Sequence, residues 1–162
     1  MPQVKIQPEN LSLDGTNLPL VAGVPLQMPG GAVANWLDQR LHLQHGPIDL
    51  IISADGAADV VMSAFARAAD AFDGLLATLV EELPTLRAPA NASQPPDLRG
   101  LVAKRMDEAI RPHLHRYESG DFITPMIAVA GSVADYILNA MGGGLDRAIV
   151  NNGGDIALNL SK

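Results

Sequence analysis

The chain has 162 residues, 48 % of them hydrophobic, and sets 11 basic against 18 acidic side chains for a formal charge of −7. That length predicts one globular domain with a real core. The acidic balance argues against binding to a nucleic-acid backbone and disfavours an anionic membrane surface, while the absence of cysteine excludes disulfides, thiolate catalysis and cysteine-ligated zinc.

With only six aromatic residues and abundant Ala and Gly, the core is expected to be aliphatic, with close backbone packing. The opening MPQVKIQPEN has no apolar signal region, and no run approaches the ~20 apolar residues of a membrane span. A cytoplasmic location with no membrane partner is therefore expected.

In chain order, residues 1–38 are the least readable. Val4-Lys5-Ile6 and Leu11-Ser12-Leu13 read as short strands, with Asp14-Gly15 ahead of Asn17-Leu18 as a turn signal. Pro19, Pro25 and Pro29, with Gly30-Gly31, exclude any long element, and Ala32 to Leu37 is expected to make one helical turn around Trp36. Leu41 and Leu43, then Ile48, Leu50 and Ile52, predict a strand, a Gly46-Pro47 turn and a second strand buried on both faces. From 57 to 86, Val60, Ala64, Phe65, Ala68, Phe72, Leu75, Leu79 and Leu83 recur at helical spacing. One long helix is expected there, opened by Asp59 and ended by Pro84.

Residues 87–97 carry three prolines and read as a loop. Leu98 to Ile110 reads as a second helix, with Asp97 as N-cap and Pro112 as its stop, and His113 to Asp121 as irregular. The third helix is the best specified: Thr124 as N-cap, Pro125 at the first helical position, and Gly142-Gly143-Gly144 as C-cap. Ala148-Ile149-Val150 and Ile156-Ala157-Leu158 are strands around Asn151-Asn152-Gly153-Gly154-Asp155. The expected fold class is α+β, three main helices on a mixed or antiparallel sheet, with residues 1–38 unassigned and 39–162 as the domain. The last strand is expected to lie at a sheet edge, to pair with a partner chain, or to be completed by further chain.

The Gly153-Gly154-Asp155 turn admits two readings. As a ligand loop, its glycines allow close backbone approach, Asp155 accepts hydrogen bonds from a ribose or a metal-bound water, and Asn152 adds two-way hydrogen bonding. As a plain hairpin, it carries the strongest turn dipeptide, Asn-Gly. Ala128, Ala130, Gly131, Ser132 and Ala134 give the third helix a nearly bare early face, suited to a flat ring or phosphate, or to close helix–sheet packing. Asp135 falls one turn beyond Gly131 on that face. His45 and Asp49 flank a turn and form a candidate base and its orienter. His42 and His45 point to opposite strand faces, which makes them poor joint metal ligands. Glu81-Glu82 and Asp107-Glu108 read as solvated helix surfaces.

Three pieces, HGPIDLIISADG, FITPMIAVAGSVAD and RAIVNNGGDIAL, resemble an ApbE-like family related to the FAD:protein FMN transferases, over roughly residues 39–160. The resemblance implies an ApbE-like fold and a flavin-type or other nucleotide ligand, FAD or FMN with magnesium, held between the Thr124 helix start and the Gly153-Gly154-Asp155 turn. Gly131 and Asp135 look like the Gly and Asp of the transferases' GGIAKGYAVD stretch, and Asp155 like a possible metal ligand. The chain departs from that stretch at Thr124, Met126, Ile127 and Ala130, and the late acid/threonine motif would fall beyond Lys162. An alternative is a non-catalytic interaction or assembly module, a homo-oligomer or a chain with a companion paired to its C-terminal strand.

Overall fold

The computed structural model describes residues 12–13, 18–19, 21–116 and 122–161. Strands β1 (Ser12–Leu13) and β2 (Leu18–Pro19) pair antiparallel as a small separate ribbon. The expected strand Val4-Lys5-Ile6 and the Asp14-Gly15 turn lie outside the described residues. Six further strands form one sheet in simple chain order: β3 (Leu26–Gln27), β4 (Val33–Leu37), β5 (Arg40–His45), β6 (Ile48–Asp55), β7 (Arg147–Asn152) and β8 (Asp155–Leu160). Every pairing is antiparallel, so the sheet is not mixed. The helices are inserted between β6 and β7: α1 (Ala58–Phe72), α2 (Leu75–Glu81), α3 (Leu83–Arg87), α4 (Leu101–Ile110) and α5 (Val129–Met141). The α+β class expected from the sequence is present.

One face of the sheet carries the core. Leu41 and Leu43 of β5, Leu50 and Ile52 of β6, and Ala148 and Val150 of β7 are buried against α1 and α5. Phe65 of α1 is fully buried and meets Trp36 edge-on, with ring centroids 5.5 Å apart. No helix covers the other face among the described residues. There β6 alternates, with Asp49 exposed and Ile51 and Ser53 half-buried, so this strand is buried on one face and not on both.

Four other expectations change. Residues 33–37 form a strand and not a helical turn, because Ala34 and Trp36 are buried while Val33, Asn35 and Leu37 alternate with them. The turn into β5 uses positive φ at Asp38 (45°) and Gln39 (68°), without the glycine that usually marks it. The long helix breaks at Gly74, whose φ of 79° no helix can hold, and the Asp73 carboxylate accepts from the Gly30 N–H at 2.7 Å. Pro84 consequently stands in the first turn of α3, not at the end of a helix.

Two acids expected on solvated faces are structural. Glu82 accepts from the N–H groups of Arg99 (2.5 Å) and Gly100 (2.9 Å), and so caps α4 from outside the helix. Gly100, not Asp97, occupies the N-cap position. Asp107 is only 7 % exposed and pairs with Arg111 at 2.6 Å. Residues 111–116, expected as irregular beyond Pro112, continue as a 3-10 helix.

Candidate functional site

The β7–β8 hairpin turns through Gly153 (φ 61°) and Gly154 (φ 108°) between the paired residues Asn152 and Asp155. Two consecutive positive φ angles define a type I′ turn, which is why the sequence spends two glycines there. Nothing lies within 4 Å of where a Cβ would stand on either glycine, so the turn itself and not internal crowding selects them. Asn151 Oδ1 accepts from the Gly154 N–H at 2.9 Å and closes the loop.

This hairpin is fastened to the start of α5. Asn152 is 7 % exposed and donates its Nδ2 to the Ala130 carbonyl at 3.1 Å. The bond spends an amide donor on architecture that the sequence reading assigned to a ligand. Its effect is to carry Asp155 against the helix: Asp155 Oδ2 lies 3.9 Å from the position a Gly131 Cβ would take. Gly131, Asn152 and Asp155, selected on sequence, are therefore neighbours.

Thr124 stands apart from them. Its backbone has the extended N-cap conformation (φ −116°, ψ 154°) and its carbonyl accepts from the Ile127 N–H, but its hydroxyl makes no capping bond. A 3-10 turn over Pro125–Ala128 intervenes before α5 begins. The hairpin consequently meets the helix at Ala130 and Gly131, not at Thr124.

A cleft of about 440 Å³ opens beside this junction. Arg105 and Glu108 of α4 form one wall; Ala128, Gly131, Ser132 and Asp135 form the other. Arg105 Nε donates to Asp135 Oδ2 at 3.0 Å across it. Both side chains are well exposed, 45 % and 40 %, so the pair contributes at most about 1 kcal/mol and can open to an incoming group. Arg105 carried no recognisable signal in the sequence, Glu108 read only as a solvated helix acid, and Ser132 was visible as part of the bare helix face. Only tertiary packing of α4 on α5, 30 residues apart in the Arg105–Asp135 contact, brings them together.

His45 and Asp49 do not meet. His45 pairs with Ile48 across the turn, so Asp49, one residue on, points to the opposite face. Asp49 Oδ1 instead bonds His42 Nε2 at 3.0 Å on the open face. The His45 ring turns toward Gly31, and its buried Nδ1 has no hydrogen-bond partner among the described residues. Among the described residues no three His, Asp or Glu side chains converge as metal ligands, so the magnesium expected with Asp155 finds no ready ligand set.

A family model described as AbpE bacteria matches residues 34–162, from β4 to the end of the sequence. The chain belongs to the AbpE bacteria family. That match overturns the ApbE-like assignment made from the motifs. Its pieces, a small-residue helix start and an Asn-Gly-Gly-Asp turn, are what this hairpin-on-helix junction demands physically, so they are weak markers of descent. The AbpE bacteria match also begins inside the segment left unassigned on sequence, at the strand that holds Trp36. No curated protein and no solved structure matches the chain. Among the described residues, no helix is long and apolar enough to cross a membrane.

Proposed function

We propose that this chain binds a small polar ligand of nucleotide type in the cleft between α4 and the start of α5. The observation that supports the reading is the Asn152–Ala130 bond, which holds the Asp155 carboxylate beside Gly131, a residue of the cleft wall that also carries Asp135 and faces Arg105. Asp155 abuts Gly131 and Asp135 follows Gly131 by one helical turn, and each carboxylate can accept from a hydroxyl, such as one of a ribose diol. The Arg105 fork can exchange its exposed carboxylate partner for a phosphate. Ala128 and Gly131 supply a low wall on which a flat ring can rest.

FAD and FMN, the ligands expected from the sequence, remain within this class. With the family corrected, no cleft residue singles out an isoalloxazine ring, so the reading is the wider class and flavin is one arm of its test. Calorimetric titration with FMN, FAD and ADP, each with and without magnesium, is the experiment. The expected result is one ligand binding better than about 1 mM and losing at least tenfold on Asp155→Asn. Failure of all three to bind at that level overturns the reading.

A further inference from the structure

Among the described residues no strand pairs with the outer edge of β8, and that edge is uncharged along most of its length. The Ser161 N–H donates to the Asp146 carbonyl at 2.9 Å, so by alternation Asp155, Ala157 and Asn159 exchange bonds with β7. The N–H and C=O groups of Ile156, Leu158 and Leu160 therefore point away from the sheet. Their side chains stand on the uncovered face, 56 %, 57 % and 60 % exposed. Natural sheets usually blunt such an edge with lysine, proline or a bulge. Ile156 to Leu160 contains no charge and no proline.

We propose that this edge joins a second copy of the chain, β8 pairing antiparallel with β8 about a twofold axis at Leu158 to make one continuous sheet. The edge is complementary to itself. In this register Leu158 faces its own counterpart and Ile156 faces Leu160, and each of these residues has its backbone donor and acceptor turned outward. About six hydrogen bonds form, and six aliphatic side chains gather on one face. No other antiparallel register sets all three outward residues of one strand against all three of the other, and none of the facing pairs within this stretch is charged. A strand pair of this length buries less than a standard interface, so the dimer is expected in the micromolar range.

The chain has no cysteine, so an introduced thiol is unique. Residues opposed in a hydrogen-bonded antiparallel pair have Cα atoms about 5.5 Å apart, within disulfide span. Leu158→Cys is expected to cross-link rapidly under mild oxidation. Ile156→Cys is not, because its counterpart lies four residues along, about 13 Å away. Light scattering at about 100 µM is expected to give twice the 17.0 kDa chain mass, and Leu158→Lys, which sets two like charges at the axis, a monomer with unchanged circular dichroism. A wild-type monomer at that concentration, a dimer that survives Leu158→Lys, or equal cross-linking by the two cysteine variants overturns the proposal.

Discussion

Gly131 separates what the fold needs from what the cleft needs. It is the third residue of α5, and its helical conformation suits any L-residue. A methyl added there meets nothing closer than Asp155 Oδ2 at 3.9 Å, an ordinary van der Waals distance. Gly131→Ala therefore costs no overlap and removes the conformational freedom that makes glycine costly in helices. The helix gains about 0.5–1 kcal/mol, toward the lower end so near its first turn. For a chain of this size that raises Tm by roughly 2 °C. Urea unfolding should show a higher midpoint with an unchanged slope. Gly131→Leu, by contrast, projects into the cleft and is expected to weaken the proposed ligand at least tenfold while the fold survives. A loss of more than about 1 kcal/mol in Gly131→Ala would show that the hairpin packs closer than argued and would refute the reasoning.

Three further substitutions test the architecture around the site. Glu82→Ala removes the side-chain acceptor of the Arg99 and Gly100 N–H groups and should cost about 1–2 kcal/mol in urea unfolding, with Glu82→Gln costing less. Asp107→Ala strands Arg111 and should cost about 2 kcal/mol. Because Asp107 Oδ1 and Arg111 Nη2 are already buried without partners among the described residues, Asp107→Leu combined with Arg111→Met should recover most of that loss. Phe65→Ala, at a fully buried ring packed on Trp36, should cost about 3–5 kcal/mol, measured by the same unfolding curves.

Much of this fold is legible from local chemistry. The β5–β6 hairpin, the α5 helix ending at Gly142 and the β7–β8 hairpin follow from alternation, helical spacing and turn glycines. Residues 33–37 were obscured because both strand faces carry apolar side chains there, and the Asp38-Gln39 turn lacks glycine. The break at Gly74 was legible in principle, since Asp73-Gly74 is a turn dipeptide, but the apolar spacing runs on through it. Glu82 looked solvated because its partner, the α4 start, is set by packing and not by pattern; Arg111 stands at legible i,i+4 spacing from Asp107, and only the burial of that pair is set by packing.

The site divides the same way. Gly131, Asn152 and Asp155 were visible as a glycine-rich turn and a bare helix face, and they do lie together. His45 and Asp49 were paired by proximity in sequence, whereas the parity of a two-residue turn sends them to opposite faces and gives Asp49 to His42. Arg105 was invisible, because an arginine on an amphipathic helix has nothing to mark it until α5 brings Asp135 alongside.

The most direct measurement is an amide NMR titration of the chain with FMN, FAD and ADP. The amides of Gly131, Ser132 and Asp135 line the cleft and Asp155 abuts Gly131, whereas Gly23 and Gly46 lie in turns elsewhere in the fold. Binding as proposed shifts the first group and leaves Gly23 and Gly46 unmoved. Shifts centred elsewhere, or none with any of the three ligands, would contradict the account.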